Sequence, residues 1–161
     1  MCSNKARFAL LGVVLCMAFA AFGQTLVVGS YNIRYRNDGD EAKGHIWAKR
    51  CQVIADQLNY HHPDVFGAQE VLKGQLDDML RALPDYDYVG VGRDDGREAG
   101  EYAPIFYRRD RLNKLGDGYF WLSPTYTIPS LGWDAACIRI CTWAKFKVRE
   151  SGKVFLFFNL H

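Results

Sequence analysis

The chain carries little excess charge of either sign. Lys and Arg number 20 and Asp and Glu number 18, so the formal net charge is only +2 at pH 7. This near-balance argues against a strongly basic protein that binds nucleic acid without specificity. The composition is 49% hydrophobic and 24% charged, which excludes a disordered or low-complexity chain. The length of 161 residues allows one domain.

Cysteine is also scarce, and its placement excludes a disulfide scaffold. Beyond the N-terminal segment the sequence has only Cys51, Cys137 and Cys141, and no CxxC motif. Three cysteines cannot pair completely. The pattern indicates small, buried, unpaired side chains.

Long hydrophobic runs are absent apart from one near the N-terminus. Residues 8–22 are apolar except for glycine, with basic residues before them and small residues after them. This arrangement predicts a signal peptide over 1–23, with Gln24 as the new N-terminus and a periplasmic or extracellular protein. The alternative is an uncleaved anchor, for which the run is short, since a span needs about 20 residues. We expect no stable membrane insertion after cleavage.

The rest of the chain alternates short apolar runs with turn residues. The pattern predicts a first strand ending near Asn32, a loop over 34–44, a helix over 45–60, a short strand, a second helix over 70–83, and then mainly strands. Two helices early among some seven strands indicate an α/β or α+β fold of packed layers.

The last strand, 154–161, has the strongly apolar sequence VFLFFNLH. Such a strand is expected in the centre of a sheet, and a domain rarely ends on a bare core strand. We therefore expect the domain, residues 24–161, to be incomplete at its C-terminus.

Three polar side chains, Asn32, Glu70 and His161, each stand at the C-terminal end of an apolar strand. In layered α/β folds this edge is where ligands usually bind. A carboxylate beside an amide and an imidazole suits a hard divalent cation and a phosphate group. The alternatives are that Glu70 caps the following helix and that Asn32 satisfies a loop backbone.

The motifs around these residues carry a family resemblance. They are Ser-Tyr-Asn-Ile-Arg over 30–34, Pro-Asp-Val-x-Gly-x-Gln-Glu over 63–70, Gly-Trp-Asp-Ala-Ala-Cys-x-Arg over 132–139, and Asn-Leu-His over 159–161. In order and spacing they resemble the endonuclease/exonuclease/phosphatase (deoxyribonuclease I-like) family, and in particular the N-terminal part of its secreted bacterial members. The resemblance implies the first half of a four-layer α/β/β/α sandwich.

The resemblance also implies site roles. Glu70 matches the family's magnesium ligand, with manganese as a substitute, and Asn32 matches an asparagine near the metal and the nucleophile. His161 matches the histidine that contacts the scissile phosphate. Arg139 and Tyr102 would border the substrate cleft, although a structural salt bridge is an alternative for Arg139.

Two later elements of the family are absent from this sequence, namely Gly-Asp-x-Asn and Ser-Asp-His. The second would hold the base that activates water, and loss of such a base costs roughly 10²–10⁴ in rate. We therefore expect negligible activity from this chain alone. The first hypothesis is an exported metal-dependent phosphodiesterase or phosphatase, a monomer if complete, of which this is a truncated form.

The alternative hypothesis is a non-catalytic remnant or half-domain. It would bind metal and phosphate weakly or need a complementary chain. The substrate stays open among nucleic acid, phospholipid headgroup and sugar phosphate. Trp121 and Trp133 would form part of a sugar-facing wall, or would stack in the core.

Overall fold

A computed structural model describes residues 25–161, so the predicted signal peptide lies outside the described residues. Within that range the chain forms seven strands and three helices: β1 (Val28–Asn32), α1 (Asp38–Ala42), α2 (Trp47–His61), β2 (Val65–Gln69), α3 (Lys73–Ala82), β3 (Tyr86–Val89), β4 (Ile105–Arg108), β5 (Leu112–Trp121), β6 (Ile140–Val148) and β7 (Val154–Leu160). None of these helices has the length and apolarity that crossing a bilayer requires.

The strands form two sheets. The first has the order β1-β2-β4-β3, in which only the β1/β2 pair is parallel, and the second is an antiparallel sheet of order β5-β6-β7. Side chains of α2 and α3 pack against one face of the first sheet around Phe66 and Phe106. The second sheet covers the opposite face, where Phe146 packs among side chains of β2 and β4. The predicted α/β class is confirmed.

Helix α2 agrees closely with its prediction. Its inward face buries Trp47, Ile54 and Leu58, which follow the helical spacing of the apolar residues. His62 ends the helix in the left-handed conformation and donates its N–H to the Leu58 carbonyl. The following Pro63 cannot continue a helix.

Two local predictions were wrong. The segment predicted as a loop contains α1, because the Asn37 side chain accepts a hydrogen bond from Asp40 N and caps a short helix. Helix α3 begins at Lys73 rather than at Glu70. Glu70 therefore precedes this helix by three residues, and the alternative that it caps the helix is excluded.

The central position predicted for the last strand stays a prediction. Within the described residues β7 lies at the edge of the second sheet and pairs only with β6. Phe155, Phe157 and Asn159 turn toward the first sheet, whereas Leu156 and Phe158 are about half exposed. Within residues 25–161, one face of β7 is therefore turned toward the first sheet and the other is exposed.

Candidate active site

The ends of three strands bring Asn32, Glu70 and His161 together. Parallel pairing places Asn32 beside Gln69, so that Glu70 emerges next to it. The Asn32 Nδ2 group donates a 2.9 Å hydrogen bond to Glu70 Oε1. His161 approaches from the second sheet, and its Nε2 lies 3.8 Å from the same oxygen. The cluster predicted at this edge is therefore present, although the chemical roles stay predictions.

The backbone and side chain of Glu70 are both constrained. Its φ is +61°, a left-handed conformation that costs a non-glycine residue on the order of 1 kcal/mol and often marks functional sites. The carboxylate also accepts a 3.2 Å hydrogen bond from Tyr35 N. Burial is the largest single influence and opposes ionisation. The hydrogen bonds from Asn32 and Tyr35, together with nearby positive charge such as that of Arg34, outweigh it and hold the pKa of Glu70 below its ordinary value.

The loop after β1 fixes the orientation of Asn32. Asn32 Oδ1 accepts a 2.9 Å hydrogen bond from Arg34 N, so the amide group turns its NH₂ toward Glu70. The Arg50 guanidinium, from α2, donates to the carbonyls of Ile33 and Arg34 and so holds this loop in place. The geometry favours Asn32 as the residue that orients the carboxylate, and its role as a metal ligand stays a prediction.

The donor set at Glu70 fits one mode of magnesium binding. Mg²⁺ usually takes one or two protein carboxylates and keeps several waters or substrate oxygens. Glu70 offers such a carboxylate, partly exposed and held by its neighbours. Within residues 25–161, no group of three or more His, Cys, Asp or Glu side chains is arranged as a metal cage. The site therefore suits a cation that substrate oxygens help to hold.

A second cluster lies on the other side of His161. Arg93, Glu101, Arg139 and His161 line one small cavity. Arg93 donates a 3.0 Å hydrogen bond to Glu101 Oε2, and His161 Nδ1 lies 4.0 Å from that oxygen. His161 thus stands between two carboxylates. The sequence analysis missed Arg93, because nothing in the charged run GRDDGREAG distinguishes one arginine from the other.

Arg139 and Tyr102 differ in how free they are to contact a ligand. Arg139 lines the cavity and forms no salt bridge within residues 25–161, so the structural alternative lacks support there. Tyr102 is 3% exposed and donates its hydroxyl to the Arg97 carbonyl, and burial raises the pKa of Tyr102 to about 12. This environment gives Tyr102 a structural role, and its predicted substrate contact stays a prediction.

The two tryptophans discussed above have opposite environments. Trp121 is buried and donates its indole N–H to the Arg93 carbonyl at 2.8 Å, so it helps to fix the backbone of a residue that lines the cavity. Trp133 is 75% exposed with a φ of +46°, on the loop that leads from β5 to Arg139. Of the two, Trp133 is the one available to a ligand.

Comparison with known proteins gives relatives that share both sequence and fold. No family model matches the chain. An uncharacterized protein, L388, of Acanthamoeba polyphaga mimivirus is 30% identical over 122 residues, which cover 71% of this chain and 46% of that protein.

Two solved structures from Bacteroides thetaiotaomicron are more similar. One, an endonuclease/exonuclease/phosphatase family protein, has 53% identity and a TM-score of 0.83 over 84% of this chain and 50% of its own. The other, a mannosyl-6-phosphatase, has 52% identity and a TM-score of 0.84 over 85% of this chain and 51% of its own. The chain thus spans about half the length of the relatives that it matches.

Proposed function

This chain belongs to the endonuclease/exonuclease/phosphatase family, and we propose that it supplies a metal- and phosphate-binding part of a phosphate-ester hydrolase site. The observation that carries the proposal is the convergence on Glu70. Asn32 holds one carboxylate oxygen, and His161 faces the same oxygen from the second sheet. Arg139 adds a positive charge to the neighbouring cavity. A carboxylate for a cation beside an imidazole and a guanidinium is a suitable arrangement for a phosphate group.

Each residue has a distinct part in this proposal. Glu70 holds Mg²⁺, or Mn²⁺ in its place, and Asn32 keeps the carboxylate turned toward the site. When bound, the cation neutralises charge on the phosphoryl oxygens and the leaving group. His161 donates a hydrogen bond from Nε2 to a phosphoryl oxygen, with Nδ1 turned toward Glu101. Arg139 contributes charge to phosphate binding.

We propose a sugar phosphate as the substrate class. The support is the 52% identity to a mannosyl-6-phosphatase, together with a net charge too small to favour a nucleic-acid polyanion. We also propose export to the periplasm or cell exterior, from the apolar segment over 8–22 and its flanking residues.

The test measures binding, because negligible turnover is expected from this chain alone. Calorimetry with mannose 6-phosphate and Mg²⁺ should detect saturable binding that Glu70→Gln weakens at least tenfold and that Glu98→Gln, an exposed carboxylate on a nearby loop, leaves unchanged. The same measurement with duplex DNA and with phosphocholine in place of the sugar phosphate then ranks the substrate classes by affinity. Binding that Glu70→Gln does not alter would contradict the proposed site.

A further inference from the structure

A buried amide connects the two sheets directly beneath the site. Asn159 on β7 is 5% exposed and stands two residues before His161. Its Nδ2 group donates to the carbonyls of Ala68 at 2.7 Å and Pro104 at 2.8 Å, and its Oδ1 accepts from Gln69 Nε2 at 2.7 Å. All three partners belong to the first sheet or its border, whereas Asn159 belongs to the second.

The neighbouring backbone is shaped to admit this side chain. A Cβ atom on Gly67 would lie 2.4 Å from both Cγ and Oδ1 of Asn159, closer than real Cβ contacts allow. Glycine therefore permits β2 to approach the amide that lies against it. The approach and the three hydrogen bonds together define one position of β7 relative to β2.

We propose that Asn159 is a positioning residue that sets the separation between Glu70 and His161. Glu70 follows Gln69 directly, and His161 follows Asn159 by two residues. The hydrogen bond between Gln69 and Asn159 therefore joins the two strands immediately before both site residues. Without the hydrogen bonds of Asn159, the 3.8 Å separation between His161 Nε2 and Glu70 Oε1 should no longer be maintained. The catalytic consequence rests on the proposed function, but the positional claim does not.

Thr142 provides a matched control for Asn159. A substitution there tests whether any change at a buried residue of this region alters the position of His161. Thr142 pairs with Asn159 across the β6/β7 ladder and is fully buried. Its Oγ1 has no hydrogen-bond partner within residues 25–161. Thr142→Val thus alters the buried position opposite Asn159 without breaking a hydrogen bond between the sheets.

The experiment records the side-chain NMR signal of the His161 imidazole with and without Glu70→Gln, at about pH 8.5, where an ordinary imidazole is neutral. In the unaltered protein and in Thr142→Val, removing the carboxylate should shift this signal. In Asn159→Leu the same shift should fall to less than half. An equal shift in all three backgrounds would overturn the proposal.

A second variant covers the case in which Asn159→Leu does not fold. Gln69→Leu removes the donor to Asn159 Oδ1, along with longer bonds from Gln69 Nε2 to Ser30 and Gly67 within the first sheet. It keeps both bonds from Asn159 to backbone carbonyls, so it should reduce the His161 shift by a smaller amount. If folded Gln69→Leu protein shows no reduction of the His161 shift, the proposed positioning role of Asn159 is contradicted. Because neither readout needs metal or substrate, a failure to bind sugar phosphate would contradict the proposed function and leave this result standing.

Discussion

Glu70 and His161 face each other at 3.8 Å although they follow strands of different sheets, 91 positions apart along the chain. The contact exists because β2 and β7 pack against each other across the two sheets, and Asn159 reaches the backbone of β2 there. The site is therefore a property of how the two sheets are joined, and changes at the join should act on the site.

The hydrogen bond from Asn32 should set the ionisation of Glu70. In Asn32→Ala the pKa of Glu70 should rise, because the carboxylate loses a donor while its burial is kept. A carboxyl ¹³C NMR titration measures this directly. Because the pKa of Glu70 is lower in the folded protein, this carboxylate stabilises the fold above pH 4.5, its ordinary pKa. The stabilisation is lost as the pH falls through the pKa of the folded protein. An unchanged Glu70 titration in Asn32→Ala would show that the bond does not form in solution.

Substitution at the contact between the sheets should be costly. Gly67→Ala places a methyl group against Asn159 and should lower the free energy of unfolding by about 1–3 kcal/mol. Gly74→Ala is the control, since it lies in α3 with open space around it and should stabilise the helix by about 0.5–1 kcal/mol. Urea denaturation measures both changes, and equal effects would argue against the close approach.

The ion pair in the loop after β1 should be visible by titration. A hydrogen bond from Arg34 lowers the pKa of Asp40 to about 2. Arg34→Ala should return it toward the ordinary value of 3.8, measured by carboxyl NMR. Since the pKa of Asp40 is lower in the folded protein than in the unfolded chain, the ion pair stabilises the fold above pH 3.8. This stabilisation is lost as the pH falls toward about 2. The pair is absent in solution if Asp40 titrates normally in the unaltered protein.

Trp133 should distinguish a sugar phosphate from phosphate alone. An exposed indole that packs against a sugar ring removes apolar surface from water at roughly 25 cal/mol per Å², so Trp133→Ala should weaken mannose 6-phosphate binding about twofold or more. Binding of inorganic phosphate, which has no ring to stack, should not change. Calorimetry compares the two ligands, with Tyr126→Ala, another exposed aromatic of the same loop, as the control. Equal weakening of both ligands would place the effect in the loop rather than in stacking.

Local sequence predicted the parts of the fold that local forces determine. The spacing of apolar residues gave helix α2, and the strand ends gave the edge at which Asn32, Glu70 and His161 meet. Helix α1 was missed because its formation depends on one cap from Asn37. The strand that pairs with β7 could not be predicted, because strand partners are chosen by distant segments, which an apolar run does not reveal.

The position of Arg93 in the cavity beside His161 could not be predicted for a related reason. Its partner Glu101 lies eight residues away, and the two meet only because the loop between them folds back. A charged run of this kind is ordinarily a solvated surface. The buried bonds of Asn159 are likewise invisible in sequence, since Asn159 is only one polar residue in an apolar strand.

Paramagnetic Mn²⁺ titration followed by NMR tests the central claim most directly, because it needs no turnover. Mn²⁺ should broaden the signals of Asn32, Glu70 and His161 first, and excess Mg²⁺ should reverse the broadening. Glu70→Gln should abolish it, and Glu98→Gln should not. Broadening that persists in Glu70→Gln, or that centres on another part of the chain, would contradict the assignment of this strand edge as a metal- and phosphate-binding site.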